Sequence, residues 1–318
     1  MKHPLLLTLI VLSLVVSASA QVNHAELLKK IPEEFLPFIG ADMPNQDGFV
    51  GRNRSGFKSI ALQRGATLAL AMAAVRGDRK RAEDCWRAVD VTFAHQKEAG
   101  DFGEPPTSVS FWLCELCRSL LVVQQSPLAT NYQDRIADLL PKIRKAAGWL
   151  ATQQTALIMA DGKNTPNRLF FSAEAFSFAG ILLKDEKLIT FGKNFLARGM
   201  MFFRDADGVF LEKGGGDSSY QAVNLLRLQE IVIHFPDPRL EAAIRKGMNW
   251  ELTRIAPDGT VSIEGNTRVH PGGEKFMGTE KQVNVGEITL ALLYFHLRTD
   301  DADALAAAQR IRGHYIKQ

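Results

Sequence analysis

Apolar and polar positions are arranged along this chain in two ways, and the two kinds of segment take turns. In 79–95, Ala82, Cys85, Trp86, Val89 and Phe93 recur every three or four positions, while Arg79, Lys80, Glu83, Arg87 and Asp90 fill the opposite face. That spacing predicts a helix with one wet side. The pattern returns in 134–150, 186–203, 239–252 and 303–315, and 24–38 reads as the first member of the set. Between these stand 60–75, 109–123, 169–183, 222–233 and 283–297, which are apolar nearly all round. A helix without a polar face must be surrounded by protein. One-sided helices alternating with all-round apolar ones predict an all-α fold, an α/α toroid. In this double ring, outer and inner helices form about five to six hairpins and closure is incomplete or irregular.

Turns punctuate the alternation at Asp47-Gly48, Asp101-Phe102-Gly103, Asp161-Gly162, Asp207-Gly208 and Asp258-Gly259, a repeat of roughly fifty residues. Connections from inner to outer helices are short, as at Arg76-Gly77-Asp78, whereas those from outer to inner helices carry the turns and run long. All the long loops therefore fall on one rim. There the inner helices begin, with free backbone N–H groups and positive dipole ends, and loops held by a rigid scaffold are where sites usually lie.

Residues 1–20 read as an export signal. Lys2 and His3 precede an apolar run from Leu5 to Val16, and Ala18-Ser19-Ala20 offers the small residues of a cleavage site. The run is short for a bilayer, Gln21 rather than Cys follows it, and no later segment reads as a membrane span. The expectation is a single domain over 21–318, periplasmic or secreted, with no stable membrane insertion.

A formal charge of +3 on 318 residues is too small for a polyanion-coating surface, and no basic stripe with interleaved aromatics appears, which argues against nucleic acid. The slight Lys/Arg excess suits an acidic polysaccharide or oligosaccharide. Cys85, Cys114 and Cys117 allow one disulfide with a thiol left over. Burial as small apolar residues is the simpler reading, because Cys114 and Cys117 lie in an apolar helix without histidines nearby.

Three loops hold the candidate chemistry. The first, Leu211-Glu212-Lys213-Gly214-Gly215-Gly216-Asp217-Ser218-Ser219-Tyr220-Gln221, precedes an inner helix, and its glycines could aim N–H groups at an anion. Equally, Asp217 or Ser218 could simply cap that helix. The second loop contains Arg268 and His270, which would project the same way from an extended segment, a fixed charge beside a group titrating near neutrality. The third, Asn164-Thr165-Pro166-Asn167-Arg168, leads into the helix carrying Glu174, a carboxylate among phenylalanines that must be paired or have a raised pKa. Glu115, Arg64, Asn224, Arg227, Asn284 and Glu287 interrupt other inner helices, as a polar lumen or as internal ion pairs. Arg52 adds positive charge at the rim.

With these features the chain resembles the secreted α/α-toroid carbohydrate-active enzymes, especially polysaccharide lyases acting on uronic-acid polymers. The resemblance rests on the leader, the repeated hairpins, Asn167-Arg168, the Asp217-Ser218-Ser219-Tyr220-Gln221 segment and the Arg268/His270 loop. It implies β-elimination, in which the uronate carboxylate is neutralised, a base takes the C5 proton and an acid protonates the leaving oxygen. Tyr220, His270 and Arg268 would be catalytic. Asn167, Arg168, Glu174, Gly215, Gly216, Asp217, Gln221 and Arg52 would bind substrate, and no metal or cofactor is called for. The alternatives are a glycoside hydrolase in the same ring, using carboxylates such as Asp217 with Glu174 or Glu264, and a noncatalytic glycan-binding or envelope protein.

Overall fold

A computed structural model describes residues 23–158 and 163–316. The expected leader at 1–20 and the turn Asp161-Gly162 lie outside the described residues. In chain order the helices are α1 His24–Lys29, α2 Arg64–Val75, α3 Arg79–Ala94, α4 Pro106–Gln124, α5 Ala129–Thr152, the single turn α6 Gln154–Ala156, α7 Pro166–Leu183, α8 Glu186–Met200, α9 Ser218–His234, α10 Pro238–Thr253, α11 Val285–Thr299 and α12 Ala302–Tyr315. Two small antiparallel hairpins interrupt them. β1 Phe203–Arg204 pairs with β2 Val209–Phe210, and β3 Lys275–Phe276 pairs with β4 Thr279–Glu280.

The all-round apolar helices α2, α4, α7, α9 and α11 pack side by side in that order, and each carries its one-sided partner, α3, α5, α8, α10 or α12, on the outside. This is the α/α toroid. Its apolar core runs unbroken from Ala25 to Ile311. By length and composition α4 could cross a membrane, with 19 residues and a mean hydropathy of 1.2, which the sequence reading overlooked. Here α4 packs against α2, α5 and α7, so an inner ring position accounts for its apolarity.

The first outer helix expected at 24–38 is not formed. Pro32 fixes φ and lacks an N–H, so α1 ends at Lys29 and a single 3-10 turn follows at Glu33–Phe35. This helix also faces inward: His24, Ala25, Leu27 and Leu28 are buried, and α1 packs on α2, α4 and α11. It sits at the seam between α11 and α2, where a sixth inner helix would complete the ring. Residues 38–42 close the same seam higher up. A Cβ added at Gly65 would lie 2.9 Å from Asp42 Cβ, and one at Gly286 would lie 2.7 Å from the Phe38 carbonyl oxygen.

The repeated turns prove to be latches between neighbouring outer helices. Gly48, Gly100, Gly208 and Gly259 all have positive φ and press against a carbonyl of the next outer helix, at Arg87, Lys145, Lys246 and Arg310 respectively. A Cβ would come within 2.9 Å of the Arg87 oxygen and 2.6 Å of the Lys246 oxygen. In the second unit the latch is therefore Gly100, three residues before the Gly103 expected from the sequence. The recurring requirement is a left-handed glycine at a close approach, which Asp-Gly meets in three of these four turns. All three cysteines are free and buried, and burial raises the thiol of Cys85 to about 12.

Candidate functional site

The five inner helices open onto one cavity of about 750 Å³, lined by Arg64 of α2, Thr107 and Phe111 of α4, Asn167, Arg168 and Phe171 of α7, Tyr220 of α9 and Glu287 of α11. Five basic side chains reach its wall (Arg52, Arg64, Arg168, Arg268, Lys281) against two acidic ones (Glu280, Glu287), and among the described residues no aspartate or histidine lines it. Such a concentration of positive charge in a partly enclosed cleft favours an anionic ligand.

One wall is a polar cluster built around Arg268, which is 2% exposed. Its guanidinium donates to Asn167 Oδ1 at 3.1 Å, to Glu212 Oε2 at 2.8 Å and through two nitrogens to Glu274, at 3.2 and 3.1 Å. It also lies 3.6 Å from the centre of the Tyr220 ring. Lys281 Nζ donates to the Tyr220 hydroxyl and to Glu274 Oε2, both at 2.6 Å, and Lys213 pairs with Glu274 as well. Burial opposes the Glu274 charge, but hydrogen bonds from Arg268, Lys213 and Lys281 outweigh it and hold the carboxyl well below the usual range. Burial raises Glu212, with Arg268 only partly offsetting it. Burial likewise pushes the Tyr220 phenol up against the pull of Arg268. Tyr220 therefore stays neutral near pH 7, and because its oxygen accepts from Lys281, its own O–H remains a donor.

Tyr220, Arg268, Asn167, Arg168 and Arg52 thus meet at one cavity. Arg52 is exposed at the mouth, where it donates to the Phe276 carbonyl at 3.2 Å and lies over the Phe276 ring. The other expected residues stand elsewhere. His270 is half-buried outside the lining, with Nδ1 3.0 Å from the Pro271 carbonyl oxygen. Gly215 and Gly216 form no anion cradle at the cavity: Gly215 N–H donates to the Glu212 carbonyl, and Gly216 O accepts from Thr267. That tight turn, with Lys213 and Gly214 at positive φ, places Glu212 against Arg268. Asp217 is wholly buried and accepts the backbone N–H groups of Tyr220, Arg268 and Val269, capping α9 and pinning the Arg268 loop. Gln221 holds the Phe210 N–H and the Gly208 carbonyl, bracing a latch turn.

Glu174 lies deeper, in a buried ion cluster inside the ring. Arg227 contacts Glu115 at 2.8 Å, Glu230 at 3.0 Å and Glu174 at 3.1 Å, and Arg118 pairs with Glu115 and Glu230. Three carboxylates face two guanidiniums, so one proton is needed for balance. Burial raises Glu174 well above the usual carboxylate range, while the charges of Arg118 and Arg227 overcome burial to keep Glu230 low. The proton therefore resides on Glu174.

Four charged cavity residues were not among the expected site residues: Arg64, Glu280, Lys281 and Glu287. Glu280 and Lys281 sit at a small hairpin without other sequence signals. Arg64 and Glu287 appeared only as polar interruptions, although Arg64 opens α2 and Glu287 lies in the first turn of α11, at the rim where all inner helices start.

No protein-family model and no curated protein sequence matches the chain. Among solved structures it is similar to an unsaturated glucuronyl hydrolase from Streptococcus agalactiae. An Asp-to-Asn variant of that enzyme in complex with dGlcA-GalNAc6S aligns with TM-score 0.53 at 12% identity, covering 91% of this chain and 76% of the other. A second Asp-to-Asn variant aligns with TM-score 0.54 at 13% identity, covering 92% and 77%. The shared feature is the fold, an α/α toroid.

Proposed function

We propose that this protein is a glycoside hydrolase that takes an acidic, uronate-containing saccharide into the rim cavity. The observation that carries the reading is the cavity itself: four arginines and a lysine on one rim, Arg64 and Arg168 at the starts of α2 and α7 and Arg52, Arg268 and Lys281 on the connecting segments, within the fold of an enzyme named for unsaturated glucuronyl substrates. Hydrolysis needs a carboxyl group as acid or base at the scissile bond. Glu287 is the half-buried carboxylate on the lining, bonded to Asn284 and 3.8 Å from Arg64. It serves as the acid/base group, with the Tyr220 hydroxyl as a neutral donor to the sugar. The Asp217, Glu174 and Glu264 carboxylates do not take this role, because none of them lines the cavity. We place the mature protein outside the cytoplasm, in keeping with its leader-like start.

β-Elimination is the second reading, favoured by the 2.6 Å contact between Lys281 Nζ and the Tyr220 hydroxyl, since a cation there stabilises a phenolate base. One ultraviolet measurement separates the two. Incubation with an unsaturated glucuronyl disaccharide should lower the absorbance of its conjugated double bond as a hydrolase removes that sugar. A rise in the same absorbance with a uronate polymer, and no fall with the disaccharide, would establish the lyase instead.

A further inference from the structure

A second cavity, about 350 Å³, lies along the seam, where the described residues supply no sixth inner helix. It shares Ala61, Leu62, Arg64, Val283, Asn284 and Glu287 with the rim cavity, so the two adjoin. Residues 38–40 and Asp42 wall its outer side, and Glu115, Arg118 and Arg227 of the buried ion cluster also line it. Its volume is at the lower end for small-molecule sites, about 300–1,000 Å³.

The polar group this space offers a ligand stands at its entrance, since Arg118 and Arg227 are each 1% exposed and their charges are committed to the ion cluster. Arg64 stands at the junction of the cavities with its guanidinium over the rings of Phe111 and Phe171, at 5.7 and 5.5 Å. Among the described residues the Arg64 guanidinium makes no hydrogen bond, and Glu287 at 3.8 Å is its ion-pair partner. A half-buried guanidinium beside two rings, with no side-chain hydrogen bond of its own, has donors to offer a planar carboxylate.

We propose that the seam cavity is a ligand compartment one sugar ring deep, and that Arg64 at its entrance receives the carboxylate of a single uronic acid unit. This rests on the acidic-saccharide reading above and adds where the terminal ring sits. The compartment lies between α2 and α11, and the strap at 38–42 and the ion cluster bound its depth.

Calorimetric titration with sodium glucuronate, with glucose and with a uronate oligosaccharide tests it, on the wild type and on variants whose folding is checked by circular dichroism. Leu68→Trp fills the compartment from α2. Val285→Trp fills it from the start of α11, where the site is half-buried and a larger side chain is better tolerated. The expected result is glucuronate binding that falls at least tenfold in either filled variant and in Arg64→Gln, with any glucose binding unaffected by Arg64→Gln. Unchanged glucuronate binding in a folded filled variant overturns the compartment, as does wild-type binding of the oligosaccharide without the monosaccharide. Both of those outcomes leave the acidic-saccharide reading standing. Binding of neither acid overturns the compartment and that reading together.

Discussion

Arg268 is surrounded by two carboxylates, an amide oxygen and an aromatic ring, so its charge holds the rim together and orients Tyr220. Replacing it with Met strands Glu212 in a buried site, and an unfolding titration should show a loss of about 3–5 kcal/mol. Tyr220→Phe keeps the ring on Arg268 and removes only the donor. Activity should fall by about 10²–10⁴-fold with the melting temperature nearly unchanged, and a rate close to wild type would exclude the hydroxyl from the chemistry. In the buried cluster, Glu174→Gln mimics the protonated acid and should leave stability at pH 7 unchanged or raised. Glu230→Gln strips Arg118 and Arg227 of a counter-charge and should cost about 3–5 kcal/mol; equal effects in the two variants would contradict the placement of the proton. Much of this site was legible: Tyr220, Asn167 and Arg168 stand out as polar residues where an apolar helix begins, and Arg268 as a fixed charge in the longest loop. His270 misled because two residues in a loop share a direction only if the loop is extended, and the His270 carbonyl instead accepts the Gly273 N–H in a tight turn. Glu212 was hidden among the glycines that position it.

The helices were legible because inner and outer positions impose different patterns, one all-round apolar and the other one-sided. The seam was not, since it depends on a strap with no regular pattern, visible only through the close approaches at Gly65 and Gly286. The latch turns were seen as a repeat but read as part of a functional rim. Their glycines combine positive φ with contact against the next outer helix, so Gly208→Ala should destabilise by at least about 1–2 kcal/mol, or roughly 2–8 °C in melting temperature. Gly214→Ala has positive φ but nothing within 4 Å of its added Cβ, so it should cost less. If the two variants melt together, the latches do not bear on the neighbouring helix.

The ring as a whole carries a pH dependence set by its buried histidines. Burial lowers His234 from 6.5 to about 4, and burial with the nearby His234 lowers His24 well below 6.5. A lowered pKa means that the unfolded chain takes the proton first. Stability from the neutral rings is therefore fully present above pH 6.5 and is lost as pH falls from there toward 4, by at most about 1.4 kcal/mol per pH unit for each histidine. Denaturant titrations of wild type and His234→Gln should diverge through this window and run parallel above it. Parallel curves throughout would show that His234 titrates alike in both states. The central claim, that the basic mouth of the toroid selects an acidic saccharide, is tested most directly by calorimetry comparing a glucuronate-containing oligosaccharide with its neutral glucose counterpart of the same linkage. The acidic ligand should bind at least tenfold more tightly, and less so as salt is raised; equal affinity for the two, indifferent to salt, would overturn that selectivity.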